Sequence, residues 1–376
     1  MTMIVEKKVF ELPSYETVGG RTIKSVRIGY ETYGTLNAAG DNAIFIAHYY
    51  SGTSHAAGKY SDQDAEPGYW DPIIGPGKAI DTNKYFVVSA DTLVNLIARH
   101  PAVTTTGPAT INPETGRPYG MSFPVVVPRD FVRVHKALLD SLGVRRLQAV
   151  AGPSGGSIQS FEWASQYPDF VERIIPVISP GLSISPYGIM TLDLWALPIR
   201  LDPNWNGGDY YGRTEPREGL IEALKLVTYC GRHYGWVDRT YGYRWAEEGK
   251  NPLNQVDQRF LVETELRAFA ASRAPFVDAN HMIYTSKAYQ LYNLEADAWR
   301  VKAPVLMVPA QSDLIFPPAL TYRTAEILRS VGGRVSVFEI EGDGGHLDGV
   351  YGIERAAGAI ADFLAQPGAP IVDGAP

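Results

Sequence analysis

The chain has 376 residues, 45% hydrophobic and 20% charged, an ordinary globular composition with length for a large core in one domain or two. Its net charge of −7 comes with no basic stripe, so nucleic acid is not an expected partner. The single cysteine, Cys230, excludes a disulfide framework within the chain, and no run approaches the ~18 apolar residues of a membrane helix.

The N-terminal "MTMIVEKKVFELPSYE" lacks an apolar core of signal-peptide length, so a cytoplasmic protein is expected. "TIKSVRIGYETYGTL", from Thr22, alternates with period two and ends in a turn, as an antiparallel strand does. Short apolar runs follow from Asn42, Lys84, Leu147, Arg173, Ala303 and Arg334. Their continuity fits strands buried on both faces of a parallel sheet. Helical patterns stand between them: Pro128 to Gly143, "SIQSFEWASQYP", a stretch from Pro318, and "IERAAGAIADFLAQPG". Alternation of this kind predicts an α/β fold with a doubly wound sheet. From about Gly181 to Arg300 the alternation breaks into helical, aromatic-rich patterns such as "LWALPIRLDPNWNGGDYYG", "GLIEALKLVTYCGRHYGW" and "SKAYQLYNLEADAW". A helical insertion between two sheet strands is expected there, either a lid over a site or a stabilising subdomain. The tail "PGAPIVDGAP" is Pro/Gly-rich and expected to be loose.

The apolar run at Leu147 ends in Gly152-Pro153-Ser154-Gly155-Gly156, and a helical pattern begins at once. Gly-x-Ser-x-Gly arises by accident in roughly one chain of this length in ten, so its setting carries the weight. A strand enters and a helix leaves, which is the setting of a nucleophile elbow. A serine hydroxyl needs a base within reach, and the base needs an orienting carboxylate. Of seven histidines, His346 lies in a glycine-rich loop directly after the last predicted strand. Asp313 lies where the strand near Val305 ends. The order Ser154, Asp313, His346 is the chain order of the α/β-hydrolase fold. Asp343 is a rival acid but stands too near His346 in sequence, and His135, among apolar helix neighbours, reads as structural.

Two backbone N–H groups must stabilise an oxyanion. Gly155 supplies one, and the loop "HYYSGTSH" supplies the other, with Tyr50 the first choice and Tyr49 the second. Tyr49 and Asp348 are candidate substrate contacts, Asp348 with a structural role as its alternative. The aromatic loops "HYYSG" and "EPGYWDP" either shape a compact pocket or pack the core. No metal or nucleotide motif appears, so no cofactor or metal is expected, and Cys230 reads as an incidental thiol.

Several blocks, "NAIFIAHYYSGTSHAAG", "PGYWDPIIGPGKAIDTNKYFVV", "TGPATINPETGRPYG", "LDPNWNGGDYY" and "SDLIFPP" among them, resemble homoserine O-acetyltransferases in order along most of the chain. The resemblance implies a hydrolase core over residues 1–180 and 301–376, a helical lid over 181–300, and a homodimer through the lid. It implies a Ser154–His346–Asp313 triad and an acetyl-enzyme. The chain also departs from that family. The family's nucleophile block reads Gly-Gly-Ser-Met-Gly-Gly-Met-Gln, where this chain has Gly-Pro-Ser-Gly-Gly-Ser-Ile-Gln. Its base is followed by an aspartate that holds the homoserine ammonium; here Leu347 follows His346 and Asp348 comes one place later. Its carboxylate-binding arginine, seven residues before a Thr-Tyr tyrosine, corresponds to Glu222, with Lys225 nearby. Homoserine stripped of water would leave both charges unpaired there, at several kcal/mol each on a rough scale. The expected activity is hydrolysis of small acetyl esters. Acyl-CoA-dependent O-acetylation of homoserine or another small alcohol is the alternative. A binding protein on a hydrolase fold is a third reading.

Overall fold

The computed structural model describes residues 3–366; the Pro/Gly-rich tail lies outside them. Eight strands form the main sheet: β1 (Lys8–Glu16), β2 (Thr22–Tyr33), β3 (Ala43–Ala47), β4 (Phe86–Ala90), β5 (Leu147–Pro153), β6 (Ile174–Val177), β7 (Val305–Met307) and β8 (Val335–Val337). Their order is β1-β2-β4-β3-β5-β6-β7-β8. β2 runs antiparallel to both its neighbours, and the other pairings are parallel.

Each expected apolar run became a strand. All five residues of β3 are buried. Phe45 points into one apolar layer, and Ile44 and Ile46 into the other, because successive side chains alternate faces. β1 was not anticipated; its residues alternate half-buried and exposed, a weak signal at a sheet edge.

Helices α1 (Pro128–Ser141) and α2 (Gly155–Gln166) follow the expected patterns. Between β6 and β7 the described chain adds no strand to the main sheet but forms α3 (Pro186–Leu201), α4 (Arg217–Gly231), α5 (Tyr234–Tyr241), α6 (Leu261–Arg273) and α7 (Ala279–Gln290). The second half of "LWALPIRLDPNWNGGDYYG" is a tight turn rather than helix, with Asn206 and Gly207 in left-handed conformations. α7 is not peripheral. Its Ser286 hydroxyl meets the Tyr50 hydroxyl at 2.7 Å, and His281 Nδ1–H donates to the Asn95 carbonyl at 2.9 Å. α8 (Pro318–Ser330) precedes β8, and the short α9 (Asp348–Tyr351) and α10 (Ala357–Ala365) close the described chain. "EPGYWDP" contributes Trp70 to the core, fully buried.

The strand order reverses around β3, which lies between β4 and β5. Open α/β sheets hold their ligands in the crevice outside the carboxyl ends at such a point. Tyr49, Tyr50 and Ser154 all lie just beyond those ends. Among the described residues no helix is long and apolar enough to cross a membrane.

Candidate active site

Ser154 stands between β5 and α2 with φ 55° and ψ −114°, a left-handed conformation rarely held by a residue with a side chain. The two motif glycines make the turn feasible. A Cβ on Gly152 would lie 2.4 Å from the Ala47 carbonyl oxygen, and one on Gly156 only 2.0 Å from it. The elbow is thus pressed onto the end of β3, and only glycine fits that approach.

The loop after β8 brings His346 to Asp313. His346 Nδ1–H donates to Asp313 Oδ2 at 2.7 Å. The other oxygen, Oδ1, accepts from the Ile315 and Phe316 backbone N–H groups at 2.8 and 3.0 Å. The carboxylate is therefore fixed, and it keeps the proton on Nδ1 so that Nε2 is free to act as a base. Phe316 meets the His346 ring edge-on at 5.4 Å, and Ser312 Oγ accepts from the Gly345 N–H at 3.0 Å. Ser154 and His346 line the same cavity. No hydrogen bond joins their side chains among the described residues; such bonds often tighten only once substrate is bound.

The backbone N–H groups of Tyr50 and Gly155 donate to no group among the described residues, as two oxyanion donors should be before substrate arrives. The loop bearing Tyr50 is held from behind by His48. Its Nδ1–H donates to the Tyr49 carbonyl at 2.8 Å, and its Nε2 accepts from the Thr92 N–H at 3.2 Å. Burial lowers the His48 pKa, which keeps the ring neutral in this role. Gly155 has a steric role as well. A side chain there would begin 2.4 Å from the Tyr289 hydroxyl, so Tyr289 fills the space that a methionine at this position would need.

Ser154 borders two spaces. A small apolar recess of about 40 Å³ is walled by Ile158, Leu192, Trp195, Tyr289 and Phe316, room for about three water-sized groups. A larger cavity of about 710 Å³ extends on the His346 side beneath α4, α5 and α6. Tyr49 lines this larger space, while its ring packs edge-on against Tyr69 at 5.3 Å.

Three other sequence candidates lie elsewhere. Asp348 is not in the cavity wall. Its carboxylate accepts from Arg355 at 2.5 Å and from the Gly344 N–H at 2.9 Å, so the structural alternative fits it: it ties down the loop that carries His346. Asp343 pairs with Arg239 and not with His346. Glu222 is bound by Lys225 at 2.6 Å and Arg267 at 2.9 Å, outside the cavity wall. Cys230 is half-buried and burial raises its thiol pKa, the opposite of an activated thiolate. His135 is buried, its Nε2–H donating to the Asp91 carbonyl at 3.0 Å. Among the described residues no cluster of three or more His, Cys, Asp or Glu side chains could hold a metal. Two cavity residues escaped sequence reasoning. Arg232 follows α4 and Arg273 ends α6, and both line the larger cavity. No motif marks them, since α4, α6 and the His346 loop converge only on folding.

Residues 82–352 match a family model described as the alpha/beta hydrolase fold. Homoserine O-acetyltransferase of Symbiobacterium thermophilum is 39% identical over 344 residues, 87% of this chain and 85% of that protein. The crystal structure of esterase E22 shares 47% identity with a TM-score of 0.92, over 96% of this chain and 100% of the other. That of homoserine O-acetyltransferase from Bacillus anthracis shares 39% with a TM-score of 0.93, over 98% and 99%. The chain belongs to the homoserine O-acetyltransferase family, within the α/β-hydrolase fold.

Proposed function

We propose that this protein is a carboxylic ester hydrolase for short-chain acyl esters, acetyl esters first, working through an acyl-enzyme on Ser154. The observation that carries the reading is the buried Asp313–His346 hydrogen bond, 2.7 Å long, opening on the same cavity as a serine on a strained elbow. Ser154 Oγ attacks the acyl carbon and its proton passes to His346 Nε2. The Tyr50 and Gly155 N–H groups take the oxyanion. The C–O bond then breaks, and His346 returns the proton to the leaving alcohol. Water, deprotonated by the same nitrogen, attacks the acyl-enzyme and releases the acid. The small recess suits the acyl group, because its apolar walls leave room for few atoms. Helices α3–α7 serve as the lid over residues 181–300, and two chains pair through it.

Hydrolysis is favoured over homoserine acetylation by Leu347, which lines the cavity next to the base, and by Glu222, whose carboxylate is already paired. The similarity to an esterase points the same way. Acyl-CoA-dependent O-acetylation of a small alcohol is the second reading, favoured by a cavity of about 710 Å³ that could hold an acceptor. Product analysis separates them. A simple acetyl ester alone should yield free acetate, and acetyl-CoA with homoserine should yield no acetylhomoserine. Ser154→Ala should lower ester turnover by about 10³-fold or more. Acetylhomoserine as the main product would overturn hydrolysis, and full turnover by Ser154→Ala would overturn the acyl-enzyme.

A further inference from the structure

The larger cavity carries more positive charge than the hydrolysis of a plain ester needs. Arg232 and Arg273 both line it, and the one carboxylate in its wall is Glu265, an exposed residue on α6. Neither arginine forms an ion pair or donates a side-chain hydrogen bond among the described residues. Arg232 stacks on the Trp236 ring at 3.9 Å, and Arg273 lies 5.7 Å from the Phe269 ring. Stacking uses the face of a guanidinium and leaves its N–H donors, which lie in the plane, free for an oxyanion. A cation is favoured at a helix C-terminus, which accounts for the charge at the ends of α4 and α6 but not for two unpaired guanidinium groups lining a cavity. Burial lowers the Arg232 pKa, and the pull of the Asp348 carboxylate only partly offsets it.

Position ties the pair to the reaction. A Cβ on Gly345, the residue before His346, would lie 2.9 Å from the Arg232 carbonyl carbon and 2.6 Å from the His233 nitrogen. The base loop and the Arg232 backbone are therefore packed together. His346 lines the larger cavity and not the small recess. The base hands its proton to the departing alcohol, so the alcohol half of the ester occupies the larger cavity, on the arginine side.

We propose that the alcohol half of the substrate carries a carboxylate, bound by Arg232 and Arg273. The assignment deepens the hydrolase reading and rests on it. It replaces the expectation that the site lacks a cationic partner: the cations are present, on residues other than the one seven places before Tyr229.

The test compares two acetate esters on the full chain, one of a straight-chain hydroxycarboxylic acid and one of the corresponding neutral hydroxyamide. The expected kcat/KM ratio is about tenfold or more in favour of the carboxylate, residing in KM and shrinking as salt is added. Arg232→Gln and Arg273→Gln should each collapse the ratio toward one, and Arg→Lys at either site should restore part of it. A wild-type ratio of one or below, with Ser154-dependent turnover of both esters, overturns the carboxylate assignment and leaves the hydrolase reading standing. No Ser154-dependent turnover of either ester overturns the hydrolase reading beneath it. The wild-type ratio alone decides the matter if a variant fails to fold.

Discussion

Ser154 holds its hydroxyl over the crevice by adopting φ 55° and ψ −114°, and that geometry costs stability. A side-chain-bearing residue in such a region stores about 1–3 kcal/mol, while glycine enters it freely at the expense of about 0.5–1 kcal/mol of unfolded-chain entropy. Ser154→Ala and Ser154→Gly both remove the nucleophile, so comparing them isolates the backbone. Ser154→Gly is expected to be more stable than Ser154→Ala by about 1 kcal/mol, read from urea midpoints at constant slope. Equal stability would mean that the elbow holds no strain. The motif was legible because its two glycines answer one steric fact, the Ala47 carbonyl within 2.4 Å of either Cβ. Tyr289 was not legible as the reason for Gly155, since nothing local links residues 134 positions apart.

Elements whose side chains are buried on both faces, such as β3 and β5, could be read from apolar runs alone. α6 could not. Ala270 is its one buried residue, so it has no apolar stripe to betray a helix, yet it carries Arg273 into the cavity. α1 shows the opposite case, an amphipathic helix whose core face includes His135. That ring packs on Phe45 at 4.9 Å, and burial drops its pKa from 6.5 to about 3. The unfolded chain therefore binds a proton below pH 6.5 that the folded chain refuses until about pH 3. By linkage this contribution to stability is complete above about pH 6.5 and lost as pH falls toward 3. His135→Phe removes the titration and should be less stable than wild type at pH 7, because the Asp91 carbonyl loses its donor. The gap should narrow by up to a few kcal/mol, on the order of 1.4 per pH unit, as pH falls from 6.5 toward 3. A gap independent of pH in urea titrations would show that His135 is not kept neutral by burial.

At the scale of the whole molecule, α3 joins the site to the outside. Its inner face buries Leu192, Trp195, Ala196 and Ile199, with Leu192 and Trp195 walling the small recess beside Ser154. Its outer face presents Tyr187, Met190, Leu194, Leu197 and Leu201, which are 66, 52, 47, 38 and 72% exposed. Their spacing of three and four residues makes one continuous stripe. A contiguous exposed apolar stripe marks a surface that is covered in the working protein. The second copy of this chain proposed to pair through the lid would cover it. An isologous contact places the stripe against itself, so a charge at its centre meets its own like charge across the axis and is desolvated there. Leu194→Glu is thus expected to turn a dimer into a monomer at micromolar concentration, read by light scattering coupled to size exclusion. Because α3 also places Trp195 in the walls of both spaces that Ser154 borders, the monomer should hydrolyse short acetyl esters more slowly than the dimer. A wild-type chain that is already monomeric, or a Leu194→Glu chain that stays dimeric, would remove α3 from the interface and leave its outer stripe to another partner.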